Sequence, residues 1–364
     1  MGSNTTGLIF KITTWGESHG KAIGVVIDGC PAGLEITEAE VNAELALRRP
    51  GYSPYTSPRK ESDSAEILSG VFEGRSTGAP ISIIIHNSDA RSESYEALRD
   101  ILRPGHANFT YLNKYGLFDY RGGGRASARE TACRVAAGAV AKKLIRHAGI
   151  EVVAYMQQLA EVQSRFSERG VDRIREESRK SPLFCPDAAA ASEMIALLEQ
   201  VRSEGDSLGG VVEVRTSSLP VGLGDPVYEK LEANLAKAML SLPATKGFEM
   251  GAGFEAARMR GSEHNDAFIS DDRGSVKTSS NHAGGTLGGI STGMPLCFRV
   301  AFKPTSSIRL PQETLDLHGD PHTLQLSEGS RHDPCVAIRA VPVVEAMTAL
   351  VLADALLMSR CSRL

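Results

Sequence analysis

The sequence predicts an α+β chain built by internal duplication, because a turn, a strand signal and a closing helix each recur in the same order. An apolar, strand-like run at 24–29 leads into Cys30-Pro31-Ala32-Gly33-Leu34 and then a helical pattern from Thr37 to Arg48. Residues 210–215 lead likewise into Leu219-Pro220-Val221-Gly222-Leu223, followed by a helical pattern from about Asp225 to Leu240. The prolines of these two turns lie 220 − 31 = 189 positions apart.

The correspondence continues along the chain. Thr77-Gly78-Ala79-Pro80 introduces a β-branched run at 81–85, and Thr292-Gly293-Met294-Pro295 introduces another at 296–302, a spacing of 295 − 80 = 215. Each half closes with an Arg-bearing loop feeding an Ala- and Val-rich helix, from about Ser127 in one and Pro334 in the other. A Pro-x-Gly turn alone is common punctuation; the shared order of several elements is what carries the reading. The halves span about 7–150 and 205–358, within one domain of 1–364. A polar connector at about 158–204 joins them and ends in a helix from Asp187 to Arg202. Two such halves packed face to face would set their loops around a shared cleft.

Composition narrows the function. The 364 residues are 41% hydrophobic and 23% charged, as in a globular chain with a sizeable core. Aromatics make up 5%, with one Trp, so a stacking platform for single-stranded nucleic acid is disfavoured. The net charge of −4 gives no global field for a polyanion, and any anionic ligand must meet locally clustered cations. Six scattered cysteines (Cys30, Cys133, Cys185, Cys297, Cys335, Cys361) form no CxxC and read as reduced thiols. No stretch is expected to reach the roughly 20 apolar residues of a membrane span. The start, MGSNTTG, resembles neither a signal nor a transit peptide. Its Gly2 and Thr6 match the loose myristoylation pattern, which recurs by chance. A cytoplasmic location is expected, with neither nucleic acid nor membrane as a partner.

Five segments carry chemistry. GESHG at 16–20 exposes Glu17, Ser18 and His19 on a Gly-flanked turn, where an imidazole can pass a proton near neutrality. RPGHA at 103–107 fixes Arg103 and His106 on a second tight turn. The strongest is YRGGGRASARET at 120–131. Its three glycines permit close backbone approach, Ser127 is placed to cap a helix, and Glu130 is placed to close a capping box. Arg121, Arg125 and Arg129 add bidentate donors where a helix N-terminus already favours anions. The pattern is neither a P-loop nor a dinucleotide fingerprint. SNHAGGTLGGI at 280–290 offers glycine backbone to a flat ligand, and Lys303-Pro304-Thr305-Ser306-Ser307 offers a cation beside three hydroxyls. Finally, GSRHDPC at 329–335 places Arg331 and Asp333 before the last helix, with Asp333 as its cap and Pro334 as its first residue. A capped helix, a glycine hairpin or a solvated loop would account for each segment singly. No HExxH, Cys pair or dense carboxylate loop points to a metal.

Together these segments resemble the chorismate synthase family. GESHGKAIGVVIDGCP, GRASARETACRVAAGAV and RHDPCVAIRAVPVVEAM are similar to its signature blocks, with RRPG, RPGHAN, SNHAGGTLGGIS and KPTSS in the expected order. The likeness runs from about Gly7 to Leu357 and is weakest in the connector. It implies helices packed between antiparallel sheets, a homotetramer, and 1,4-anti elimination of phosphate from 5-enolpyruvylshikimate 3-phosphate. Reduced FMN is required without net redox change, supplied either through the protein's own use of NADPH or by an external flavin reductase. A chain of this length without a large extra region favours the external source.

Carried over position by position, the resemblance implies that His19 protonates the departing phosphate, His106 donates toward flavin N1, and Asp333 helps take the proton near flavin N5. Arg48, Arg103, Ser127, Arg129 and Arg331 would bind substrate. Arg125, Ala126, Ser127, Pro243, Ala244, Gly288, the run Lys303, Pro304, Thr305, Ser306 and Ser307, and Arg331 would hold the flavin. The chain departs from the family in three places: Pro54 stands where many relatives carry Arg, Ala126 where Ser is frequent, and Pro243 where Asn is usual. Pro54 puts part of the substrate and NADPH contacts in doubt, although Arg59 or Lys60 could substitute. A phosphate-binding transferase, or a non-catalytic flavin-binding relative, are the other classes compatible with these segments.

Overall fold

Alternation of buried and exposed side chains sets the strands of this protein, and runs of small apolar residues set the helices between them. The computed structural model describes residues 3–57, 63–88, 96, 98–270, 274, 276–326 and 333–363. The first part comprises β1 (Thr5–Thr6), β2 (Lys11–Gly16), β3 (Ala22–Asp28), α1 (Glu38–Arg48), β4 (Ala65–Ile67), β5 (Val71–Phe72), β6 (Arg75–Ser76), β7 (Ile81–His86), α2 (Asn108–Tyr115) and α3 (Thr131–Arg146). Then come β8 (Val152–Leu159), β9 (Val162–Gln163), α4 (Val171–Lys180), α5 (Ala188–Glu204), β10 (Gly210–Ser218), α6 (Leu231–Leu240), β11 (Thr245–Met250) and α7 (Gly261–His264). The chain finishes with β12 (Phe268–Ser270), β13 (Val276–Thr278), β14 (Thr286–Leu287), β15 (Ile290–Ser291), β16 (Pro295–Phe302), β17 (Gln312–Leu315), β18 (Pro321–Leu324) and α8 (Val336–Ser359).

Two five-stranded antiparallel sheets enclose the helices, as the α+β expectation requires. One has the order β1-β2-β3-β7-β4 and the other β11-β16-β10-β8-β9. In β7, Ile81, Ile83 and Ile85 are buried; in β16, Leu296, Phe298, Val300 and Phe302 are. Helices α1 and α3 lie on the first sheet, α6 and α8 on the second, and α3 packs against α8 in the middle. That contact is close because Gly138 has no side chain: an added Cβ would stand 2.8 Å from Ala346 Cα.

The order β2-β3-β7-β4 corresponds to β8-β10-β16-β11, with α1 and α3 matched by α6 and α8. The second set opens with β8, ahead of the connector, so β9, α4 and α5 are inserted between two paired neighbours. Helix α4 covers the outer face of that sheet, where Val171 and Ile174 pack on Val153 and Tyr155.

Several element boundaries differ from the sequence reading. Helix α6 begins at Leu231 rather than Asp225, because Leu231 N bonds Gly289 O and binds the preceding residues to the β14–β15 turn. Helix α3 begins at Thr131, after short 3₁₀ turns at Gly124–Ala126 and Ala128–Glu130. Ser127 Oγ caps the second turn, accepting from Arg129 N at 3.2 Å. Glu130 closes no capping box; it accepts from Thr14 Oγ1 at 2.7 Å and Arg134 Nε at 2.9 Å. Helix α8 begins at Val336, and neither Asp333 nor Pro334 belongs to its start. Contrary to expectation, α8 is long and apolar enough to cross a membrane by length and composition. Its apolar window is 83% buried, which marks it as a core helix with protein on nearly every side.

Two polar fixtures tie this core together. Lys142 Nζ lies 2.5 Å from Glu345 Oε1 and 2.7 Å from Glu44 Oε2, while Glu345 Oε2 accepts from Ala154 N at 2.9 Å. Asp354 on α8 accepts from three consecutive amides, those of Leu8, Ile9 and Phe10, at 2.7–2.9 Å. All six cysteines are free. Burial pushes the Cys133 and Cys335 thiols up to about 12, which makes them inert packing groups.

Two predictions test this arrangement. Gly138→Val is expected to cost about 1–3 kcal/mol by overpacking, read as a lower urea midpoint. Burial pushes the Glu345 carboxyl up, but Lys142 and Arg179 outweigh it and hold the group down, at about 2. Because the folded value lies below the unfolded one, the stabilisation is complete above the ordinary carboxylate range and is lost as pH falls through it toward 2. Glu345→Gln is expected to be less stable at pH 7 and to show a shallower acid limb in urea titrations across pH 7 to 3.

Candidate active site

The N-terminal ends of α3 and α8 meet at one side chain, Arg48, the last residue of α1. It is 1% exposed. Its Nε donates to Thr131 Oγ1 at 3.1 Å, Nη2 to Ala128 O, and Nη1 to Asp63 Oδ2 at 3.0 Å. Its own carbonyl accepts from Arg339 Nε of α8 at 3.2 Å. Arg129, 4% exposed, reaches the same aspartate: Nη1 bonds Asp63 Oδ1, Nε bonds Asn87 Oδ1 at 2.8 Å, and Nη2 bonds His86 O at 3.3 Å. Burial pushes the Asp63 carboxyl up, but Arg48 and Arg129 override it and hold the group below its ordinary value. For Arg48, burial and then Arg339 pull the guanidinium down to about 9 against the pull of Asp63, which leaves it charged at neutral pH.

Asp333 is drawn into the same centre. Its Oδ1 accepts from Ser57 N at 2.7 Å and its Oδ2 from Arg339 Nη1 at 3.0 Å. The carboxylate therefore links the loop after α1 to the first turn of α8. Pro243, with Arg48, Ala128, Thr131 and Arg339, lines a hollow of about 20 Å³, room for roughly one water.

From Pro243 the wall continues to the second cation group. Ala244, at φ +67°, offers its carbonyl to Lys303 N at 2.9 Å. Lys303 Nζ donates to Gly105 O at 2.8 Å, and Arg103 Nη2 donates to Ser307 Oγ at 2.8 Å, so the RPGHA turn is seated on the Lys303–Ser307 run. Thr305 Oγ1 is buried there without a hydrogen-bond partner among the described residues. His106 Nδ1 accepts from Asn108 N at 3.3 Å, which places the ring proton of the neutral imidazole on Nε2.

His19 lies against the glycine loop: a Cβ on Gly122 would stand 2.9 Å from His19 Nε2 and 2.8 Å from Ser18 Oγ. The glycines of that loop thus admit the GESHG turn, and Ser18 Oγ is buried beside it with no hydrogen-bond partner among the described residues. Arg125 faces elsewhere. Its guanidinium bonds Gly16 O, Thr14 O, Thr14 Oγ1 and Asn4 Oδ1 and lines a cavity of about 560 Å³ between residues 3–14, α6 and α8. That cavity is larger than the arginine centre, but no histidine is among its described lining residues, and Arg134 there is paired with Glu130. The buried pairs of Arg48 and Arg129 with Asp63, and of Arg339 with Asp333, lie at the helix N-termini instead. Gly288, at the β14–β15 tip, has open space beside it, while Gly289 packs on Asp225 and Lys230 ahead of α6. No contact joins Gly288 to the Lys303 run among those described here. Arg331, Arg59 and Lys60 lie outside the described residues.

Sequence reading missed Asp63, Asn87 and Arg339. Arg339 carried a usable signal, being a lone cation within the apolar run VAIRAVPVV. Asp63 and Asn87 carried none, since nothing in ESDSAE or IHNSD marks an inward carboxylate or amide.

The comparisons agree along the whole chain. The family model described as chorismate synthase matches residues 10–357. A chorismate synthase of Protochlamydia amoebophila is 59% identical over 100% of both chains, and one of Methanosarcina mazei is 54% identical over 99% of this chain and 97% of its own. A solved structure titled "Crystal Structure of Chorismate Synthase" superposes with a TM-score of 0.78 at 34% identity, over 97% of this chain and 93% of that one.

Arg339→Met should loosen this centre by about 1–3 kcal/mol, seen as a lower urea midpoint. Hydrogen exchange at the Ser57 amide should quicken, because its acceptor Asp333 loses its ion pair. Unchanged exchange at Ser57 would mean that Arg339 does not hold Asp333 in place.

Proposed function

The chain belongs to the chorismate synthase family, and from that premise we infer that it eliminates phosphate from 5-enolpyruvylshikimate 3-phosphate to give chorismate. It is a carbon–oxygen lyase of aromatic biosynthesis. The observation that carries this reading is full-length identity above half to the two named chorismate synthases, together with an arginine centre built where the N-termini of α3 and α8 converge.

A reduced flavin mononucleotide fits the second cation group. Lys303 and Ser307 anchor the RPGHA turn beside Thr305, whose buried hydroxyl has no hydrogen-bond partner among the described residues, and a phosphate oxygen would complete its hydrogen bonding. Ala126, Ser127, Pro243 and Ala244 would border the ring, with Arg125 and Gly288 approaching from the α6 side. When bound, the reduced flavin supplies electron density that assists C–O cleavage and is recovered, so no net oxidation occurs.

The chain's own residues do the rest. Arg48, Arg103, Ser127, Arg129 and Arg331 would orient the phosphate and carboxylates of the substrate. His19 would protonate the departing phosphate. His106, with Nδ1 held by Asn108, would present its Nε2 proton toward flavin N1. Asp333, fixed by Arg339 and Ser57, would accept the proton lost from the substrate ring near flavin N5.

We also propose that the protein works as a homotetramer in the cytoplasm, with flavin reduced by a separate reductase rather than by its own use of NADPH. Tyr228, Phe254, Phe268 and Val276 are each more than half exposed, apolar area that assembly would cover, and six free thiols suit a reducing compartment.

The test is an anaerobic assay with photoreduced FMN, with and without NADPH. Chorismate is expected with photoreduced flavin alone, and no turnover from oxidised FMN plus NADPH. His106→Ala should lower turnover by about 10²-fold or more while FMN affinity changes little. Wild-type turnover in that variant would remove His106 from the mechanism.

A further inference from the structure

We propose that Asp63 is a built-in counter-ion that competes with an anionic group of the substrate for Arg48 and Arg129, and so sets how tightly substrate binds. This rests on reading the arginine centre as the substrate's. Asp63 gives one carboxylate oxygen to each guanidinium, Oδ2 to Arg48 Nη1 at 3.0 Å and Oδ1 to Arg129 Nη1. Its side chain is wholly buried. A substrate carboxylate or phosphate bridging the same two guanidinium groups would use this same arrangement.

The other partners of the pair are different in kind. Arg48 is steadied by the Thr131 hydroxyl and the Ala128 carbonyl, and Arg129 by the Asn87 amide oxygen and the His86 carbonyl. These neutral acceptors fix the two planes without cancelling their charge. Among the described residues, Asp63 is the one carboxylate within ion-pair distance of both. It reaches both guanidinium groups from a backbone at φ +47°, a conformation disfavoured for a residue with a side chain.

Two buried guanidinium groups without a counter-charge would be costly, and Asp63 supplies one. The same anion then opposes the substrate. An incoming phosphate or carboxylate must displace Asp63, and its apparent affinity is reduced by the fraction of time for which the pair is released. Asp63 is thus a positioning and affinity-setting residue that acts through Arg48 and Arg129.

The test uses inorganic phosphate as the probe, titrated by calorimetry into the wild-type chain, Asp63→Asn and Asp63→Glu. Asp63→Asn keeps the shape and removes the competing charge. It should bind phosphate about tenfold or more tightly, with the substrate KM falling alongside and kcat not rising. Asp63→Glu keeps the charge and should stay near wild type. Phosphate affinity that is unchanged or weaker in a folded Asp63→Asn overturns the proposal, since a purely structural carboxylate would give that result.

Should Asp63→Asn fail to fold, the wild-type chain supplies a second measurement. The Ala65 amide donates to Asn42 Oδ1 at 2.7 Å and reports on the segment carrying Asp63. Saturating phosphate should speed hydrogen exchange at Ala65 as the aspartate is displaced; unchanged or slower exchange overturns the idea. Neither readout needs turnover. Absence of chorismate formation by the wild-type chain would therefore count against the functional reading and leave these results standing on their own.

Discussion

The close crossing of α3 and α8 is the constraint on which the rest of the molecule depends. Gly138 lets the two helices approach until Ala346 lies against bare backbone, and each sheet then rests on its own pair of helices. Side chains larger than hydrogen at that crossing would separate the layers, so the thickness of the whole sandwich is fixed at one residue. The crossing also fixes where the helices begin. Ala128 and Thr131 precede or open α3, and Arg339 lies in the first turn of α8, and all three bond to Arg48. The arginine centre is thus a product of core packing, assembled from segments nearly 300 positions apart.

Charge is handled differently in the middle of the molecule and at the site. Lys142 sits between Glu44 and Glu345, Arg179 adds a second cation 3.5 Å from the remaining Glu345 oxygen, and that oxygen also takes the Ala154 amide, so two cations meet two anions. Such a cluster locks α1, α3, α8 and β8 in register. The centre at Asp63 is weighted the other way. Arg48, Arg129 and Arg339 gather around Asp63 and Asp333, so positive charge exceeds negative charge among the described side chains. A buried surplus of cations is what an enzyme acting on a phosphorylated, carboxylated substrate requires.

Much of this was legible in the sequence wherever local pattern and tertiary demand coincide. Alternating Ile81, Ile83 and Ile85 gave β7, and Asp187 announced α5 by capping it through two amides. The segments bearing His106 and Lys303 were each recognisable, and they prove to be seated on one another. Reading failed where a polar side chain had a better partner far away. Glu130 looked like a capping residue, but Thr14 and Arg134 claim its carboxylate. Asp333 looked like a helix cap, but Arg339 and the Ser57 amide claim it. Asp63 could not have been found, because its importance comes from two arginines that approach it from other elements.

Helix α8 comes last in the chain, yet it fills the middle. Asp354 near its end holds the amides of Leu8, Ile9 and Phe10, so the opening strands are fastened by a helix that emerges more than 340 positions later. A ribosome emitting this polypeptide therefore releases two sheets' worth of apolar surface before the element that fills the space between them arrives. The nascent product must wait, sheltered or at risk of clumping, until α8 has emerged. A chain stopped ahead of α8 would be no smaller working version, only halves with nothing to close upon.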